Sequence, residues 1–186
     1  MSRPSPLLKP LFVALLCSVA SGAGSGAWAD KLDDLFAELE NPDTRNWQQV
    51  ESEIWTEWSR SGSPAMDLLL QRGREALEAG DTDAAIDHLT ALVDHAPDFA
   101  EGWNARATAY YQAGLFGPSI ADIERALALN PRHFGALSGL GLMFEELDHA
   151  QAALKVYRAA LALHPHLPNV TEAVDRLQRE LGDRDV

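Results

Sequence analysis

The sequence has one cysteine, few cationic side chains and no apolar stretch long enough to cross a bilayer. Cys17 stands alone among 186 residues, so no disulfide can form within one chain. Lys and Arg number 15 against 28 Asp and Glu, which gives a formal net charge of −13 at pH 7. This charge argues against nucleic acid or an anionic membrane surface as the partner, because both are themselves negatively charged.

The patterns that usually carry catalysis are also missing. The sequence contains no Gly-rich phosphate loop and no nucleophile elbow, and no thiol follows Cys17. The densest histidine group is His164 and His166 with His133, but Pro165 prevents helical ligand spacing and no cysteine joins them. We therefore predict a protein that is not an enzyme, with no catalytic residue, no metal site and no cofactor.

Residues 1–29 have the composition of a secretory signal peptide. Arg3 and Lys9 form a charged start, residues 11–20 an apolar run, and Ala27-Trp28-Ala29 a small-x-small cleavage site. Cleavage after Ala29 would make the mature protein periplasmic or secreted, with no membrane insertion after processing.

Two alternatives to a cleaved signal remain open. An uncleaved membrane anchor is disfavoured because the apolar run spans about ten residues, whereas a bilayer needs roughly 20. Lipid modification of Cys17 is disfavoured because lipoprotein signals carry a small residue just before the cysteine, where this chain has Leu16.

A pattern of 34 residues recurs three times and divides the centre of the chain into the units 66–99, 100–133 and 134–167. Prolines recur near the end of each unit and a large apolar residue near its start, at Pro97, Pro131, Pro165, Leu69, Trp103 and Leu137. A period of this length with these residues is typical of paired helices stacked in an array. Small residues should let the two helices of each pair approach closely, at Gly73, Ala107 and Gly141.

The turns between paired helices differ among the units. Gly80 and Gly114 can supply the left-handed conformation that ends a first helix. The third unit has Leu147-Asp148 instead, and we expect an altered turn there.

These three units resemble the tetratricopeptide repeat family. The resemblance implies an all-α fold, a right-handed α-solenoid of three helix hairpins whose first helices line a concave groove. It also implies protein or peptide binding rather than catalysis.

Helices are also predicted on both sides of the repeats. Residues 30–65 contain two amphipathic helices divided at Asn41-Pro42, and we expect this N-terminal helical pair to pack on the first repeat as a cap. Trp55 lies beside its apolar stripe, where it could pack on the next hairpin or face a partner. Residues 168–186 comprise a capping helix, apolar on one face and charged on the other, and a short tail.

The resemblance places the partner-binding groove on one face of the three first helices. Its predicted residues are Leu70, Arg74, Leu77, Asn104, Thr108, Tyr111, Gln112, Ser138, Leu142 and Glu145. The family's clamp for terminal carboxylates falls on other residue types here, because its positions carry Leu70, Arg74, Ala105, Gly135 and Gly139. A protein or peptide partner of unknown identity, with apolar residues, fits this groove better.

Two other functions are kept as alternatives to a scaffold or adaptor. One is a metal-binding or enzymatic accessory protein on the same scaffold, and the other is a membrane-tethered structural subunit of an envelope complex. A converged polar site would favour the first and an uncleaved N-terminus the second.

Arg72 and Arg106 occupy a repeat position at which the family usually has leucine. Asp122 lies on the facing helix at a register that could meet Arg106. We predict a partly buried ion pair between Arg106 and Asp122, because a lone charge at this position would lose its hydration.

Overall fold

The computed structural model describes the backbone of residues 24–184 and the side chains of residues 30–182. Over this range the chain forms nine α-helices and no strand, which confirms the all-α prediction. The helices are α1 (Gly24–Leu39), α2 (Trp47–Trp58), α3 (Pro64–Glu78), α4 (Thr82–His95), α5 (Ala100–Gln112), α6 (Phe116–Leu129), α7 (Phe134–Glu146), α8 (Ala150–Leu163) and α9 (Pro168–Arg184).

The N-terminal signal prediction lies largely outside the described residues. Helix α1 begins at Gly24, so its first turns include the proposed cleavage site at Ala27–Ala29. Within the part of the chain that the structure describes, no helix is both long and apolar enough to cross a membrane.

Helices α3 to α8 form three antiparallel hairpins joined by equivalent turns. Gly80 and Gly114 both have φ +74°, as expected for the left-handed end of a helix. Asp148 takes the same place in the third hairpin with φ 59°, and the amide after each of the three residues bonds the carbonyl five positions back. The expectation of an altered third turn is therefore wrong, because an aspartate tolerates the left-handed region that glycine usually fills.

The hairpins pack closely where the sequence places small residues. A Cβ added to Gly141 would lie 2.3 Å from Cε1 of Tyr157, and one added to Gly73 would lie 2.5 Å from Cγ of Leu89. Such distances leave no room for a side chain, so the two helices of these hairpins meet backbone against side chain.

The predicted pair of Arg106 and Asp122 is present between α5 and α6. Nε of Arg106 donates to one carboxylate oxygen at 2.7 Å and Nη2 to the other at 2.9 Å. Nη1 of Arg106 also donates to Oγ1 of Thr90 on α4 at 3.3 Å. The hydrogen bond to Asp122 raises the pKa of Arg106, so the guanidinium remains charged.

Helix α9 covers the end of the array. Val170, Val174 and Leu177 are buried against Leu154 and Tyr157 of α8. The opposite face of α9 is exposed and carries Glu172, Asp175, Arg176 and Arg179.

The N-terminal pair, α1 and α2, does not cap the first repeat as expected. Its apolar face packs on Phe134, the first residue of the third hairpin, which shares one buried cluster with Phe36 and Trp58. Trp55 also packs there, on the third repeat rather than on the next hairpin. The pair lies on the third hairpin because Phe36 and Trp58 pack against the buried ring of Phe134.

Candidate functional site

The concave face is divided into a covered half and an open half. The covered half lies at the starts of α5 and α7, where α2 rests on the repeats. The open half lies between α7 and α9.

A buried carboxylate organises the covered half. Glu101 accepts hydrogen bonds from Arg74 at 2.5 Å, from Asn104 at 3.1 Å and from Nε2 of His133 at 2.8 Å. Nδ1 of His133 accepts the amide of Ala136 at 3.1 Å, so the neutral ring carries its proton on Nε2. Three first helices, α3, α5 and α7, are thereby tied together at one acidic group.

Helix α2 is joined to the same network. Nη1 of Arg74 donates to Oγ of Ser59 at 3.0 Å, just after the end of α2. The ring of Trp58 stacks on His133 with centroids 4.3 Å apart. Arg74 and Asn104, both predicted groove residues, therefore take part in the contacts that join α2, α3 and α5.

Trp55 occupies the space in front of Gly135. Its Cη2 atom lies 2.6 Å from where a Cβ of residue 135 would be. Any side chain at this position would collide with the indole. Gly135 is one of the family's clamp positions, so this position has neither a long polar side chain nor the room for one.

The side chain of Leu70 is not exposed in the groove. It is buried among Ala105 and Ala109 of the next first helix, so the prediction that its side chain is exposed in the groove is wrong. Leu77 and Tyr111 are partly buried and pack against the repeat cores, Tyr111 with its ring 5.8 Å from that of Phe116. Thr108 and Gln112 are exposed on α5.

The open half contains a cleft of about 500 Å³ between α7 and α9. Three predicted residues, Ser138, Leu142 and Glu145, line it together. Gly139 and Ala173 keep it open, since neither has a side chain large enough to fill it. Leu142 is 40% exposed, which gives the cleft an apolar surface that no other described side chain covers.

The α9 side of the cleft was missed from the sequence. Asn169, Val170, Ala173 and Arg176 line it. Arg176 follows Leu142 by 34 residues, the repeat interval, so extending the period one unit further would have placed α9 as a fourth first helix. Helix α9 therefore both covers the end of the array and lines one side of the cleft.

A polar network borders the cleft. The hydroxyl of Tyr157 donates to Oε1 of Glu145 at 2.8 Å, and Arg176 donates to Oε2 of the same carboxylate. Burial and the hydrogen bond to Glu145 raise the pKa of Tyr157, so its hydroxyl stays protonated. Glu145 is thus held in a fixed position at the edge of the cleft.

The histidines do not form a metal centre in the part of the chain that the structure describes. No group of three or more His, Cys, Asp or Glu side chains there is placed to hold a metal ion. Nε2 of His166 donates instead to the carbonyl of Asn41 at 3.1 Å.

Comparisons with known proteins agree with this architecture. A tetratricopeptide repeat family model matches residues 70–117 and 116–168. A TPR repeat-containing protein of Rhizobium etli is 36% identical over 153 residues, which cover 82% of this chain and 75% of the relative. The chain belongs to the tetratricopeptide repeat family.

Two solved structures show the same solenoid. The first TPR domain of Spaghetti (RPAP3), bound to the HSP90 peptide SRMEEVD, is 28% identical with a TM-score of 0.62, and the match covers 64% of this chain and 95% of that one. The Sgt2 TPR domain from Aspergillus fumigatus is 22% identical with a TM-score of 0.62, over 66% of this chain and 83% of that one. These matches confirm the predicted fold class and support a protein-interaction scaffold.

Proposed function

We propose that the protein is an exported, non-enzymatic scaffold that binds a segment of a protein partner in the cleft between α7 and α9. The observation that carries this proposal is the exposed side chain of Leu142 in an open channel next to Gly139 and Ala173. A partner's apolar side chain can bury Leu142 there, and removing such surface from water favours binding.

The binding mode that we propose does not use the family's carboxylate clamp. The clamp positions carry no matching side chains, and Trp55 fills the space in front of Gly135. The partner therefore gains its affinity from apolar contacts and from main-chain hydrogen bonds to polar groups such as Asn169. Glu145 and Arg176 fix its orientation.

The test is a pair of leucine substitutions with the same chemistry at two places. Leu142 lies in the cleft, whereas Leu68 is 45% exposed on α3 and does not line it. Proteins captured by the wild-type chain are identified, and the affinity of a purified partner is then measured by calorimetry. We expect Leu142→Ser to weaken binding about tenfold or more, as loss of a central apolar contact does, and Leu68→Ser to change it less than twofold.

Both variants should keep their free energy of unfolding within about 0.5 kcal/mol, since exposed side chains contribute little to stability. Equal affinities for the Leu142 and Leu68 variants would place the binding surface outside the cleft.

Export forms the second part of the proposal and rests on residues 1–29. Intact-mass analysis of protein recovered from the periplasm or the medium should give a chain that starts at Asp30. Fractionation of cells expressing the full chain supplies the comparison. A chain that keeps Met1 and sediments with membranes would contradict processing and favour the tethered alternative.

A further inference from the structure

The contact between α2 and the repeats pairs tryptophans with histidines. The ring of Trp47 lies 5.7 Å from that of His164 and stacks on His166 at 5.5 Å. Trp58 stacks on His133 at 4.3 Å. Half of the six histidines in the chain therefore lie against a single helix.

His164 is the member of this group that cannot easily accept a proton. Its ring is fully buried. Nδ1 accepts the amide of His166 at 3.3 Å, so the neutral ring carries its proton on Nε2. Nε2 has no hydrogen-bond partner among the described residues. A second proton would remove the acceptor at Nδ1 and put a charge on a fully buried ring.

Each element packed on His164 presents a different group to it. Helix α2 presents Glu51, whose Oε2 lies 3.6 Å from Nε2, and Trp47. Helix α7 presents Phe134, and the segment before α9 presents His166. Burial lowers the pKa of His164 below its ordinary value, and this outweighs the attraction of Glu51.

The other two histidines differ from His164 in having a partner at Nε2. Nε2 of His133 lies 2.8 Å from the carboxylate of Glu101, and Nε2 of His166 donates to the carbonyl of Asn41. The response to acid is assigned to His164 because its Nε2 has no hydrogen-bond partner among the described residues.

The N-terminal pair can separate without opening the repeats. The buried cluster that holds α1 and α2 includes Phe134 of the repeats, with Leu163 packed beside it. The other three buried clusters contain no residue of α1 or α2. Weakening the contact at His164 should therefore shift the equilibrium towards a released pair while the three hairpins stay folded.

We propose that acidification releases α1 and α2 from the repeats and uncovers the half of the concave face that they cover. This proposal concerns the face beside Glu101 and Gly135 and does not depend on partner binding at Leu142. The α1–α2 pair occupies that face at neutral pH, and protonation of His164 weakens the contact that holds it there.

The direction of the effect follows from proton linkage. A histidine whose pKa is lowered in the docked state stabilises docking fully above its ordinary pKa of about 6.5. That stabilisation is lost as the pH falls below this value towards the pKa of the docked state. For one proton the ratio of docked to released molecules changes by at most about tenfold per pH unit.

Amide hydrogen exchange of the full chain at pH 7.5 and 5.5, with times scaled for the intrinsic exchange rate, measures this release. We expect protection in α1 and α2 to fall several-fold at pH 5.5, while protection in α3 to α8 stays within twofold. His164→Phe keeps an aromatic ring that cannot be charged, and it should abolish the difference between the two pH values. His95→Asn changes an exposed histidine at the end of α4 and should respond as the wild type does.

A second variant keeps the proposal testable if His164→Phe does not fold. Glu51→Gln removes the carboxylate that favours the charged ring, so the acid-induced loss of protection should be at least as large as in the wild type. The proposal is overturned by unchanged protection of α1 and α2 at pH 5.5, or by equal loss throughout α3 to α8. A full response in His164→Phe, or a smaller one in Glu51→Gln, overturns it as well.

Discussion

Replacing Phe134 with alanine should destabilise the protein by about 3–5 kcal/mol, the usual cost of removing a buried aromatic ring. Phe134 is the first residue of α7 and is almost completely buried. Its ring centroid lies 4.9 Å from that of Trp58, 5.6 Å from that of Trp55 and 6.3 Å from that of Phe36. No nearby side chain can fill the resulting cavity without breaking another ring contact.

The loss should appear first in the N-terminal pair. Three of the five tryptophans in the chain lie on α2, so tryptophan fluorescence reports mainly on that helix, whereas far-UV circular dichroism reports on all helices. In denaturant titrations of Phe134→Ala, we expect the fluorescence transition to precede the loss of helix. Two separate transitions are physically reasonable, because repeat arrays unfold through neighbouring contacts rather than as one unit.

Phe116→Ala is the matched control. Phe116 is only partly buried, and the one ring near it is Tyr111 among the described residues. It should lose about 1–2 kcal/mol, with the two signals changing together. If both alanine variants lose the same stability, Phe134 is not the anchor of the N-terminal pair.

The repeat region was predictable because each of its helices repeats a local rule. The 34-residue period places small residues where helices touch, and Gly141 against Tyr157 shows that rule acting at contact distance. The same register predicts that Arg106 lies opposite Asp122, where the structure has their ion pair. The third turn has no glycine, and there Asp148 takes the left-handed backbone conformation of Gly80 and Gly114.

The covered half of the groove was not predictable, because no repeated local rule specifies it. The stripe of Trp47, Val50, Ile54 and Trp58 indicates that α2 buries one face, but periodicity does not say which surface receives it. The docking joins segments that lie far apart in the chain, as in Arg132 to Asp33 at 2.6 Å, and no repeat relates them. In the sequence, Gly135 indicates only that a clamp side chain is missing. In the structure, the glycine leaves room for the ring of Trp55.

The docking of α2 and the packing of the repeats bury part of the predicted groove. The ten predicted residues share one face of the first helices, which is what the repeat register determines. Arg74 and Asn104 contribute to a buried network, and Leu70 belongs to the core. Thr108 and Gln112 stay exposed on α5. Ser138, Leu142 and Glu145 line the cleft at the α7–α9 end, which no helix covers within the described part of the chain.

Separating Arg106 from Asp122 should produce the second large effect. Their side chains are 13% and 7% exposed, and two hydrogen bonds join them. Removing one partner leaves an unpaired charge in a poorly hydrated place, which costs about 3–5 kcal/mol. We therefore expect Arg106→Leu and Asp122→Ala each to lower the free energy of unfolding by about 3 kcal/mol.

The double variant should lose much less than the sum of the two single losses. With both charges gone, no buried charge remains unpaired, and a leucine at position 106 can pack on the rings of Trp103 and Tyr110, which the guanidinium now contacts. Measured in urea, the coupling energy between the two sites should be about 1–3 kcal/mol. The pair of Arg132 and Asp33 is the comparison, with side chains 41% and 66% exposed. Its coupling should stay below about 1 kcal/mol because water screens it, and additive losses at Arg106 and Asp122 would show that their contact contributes nothing to folding.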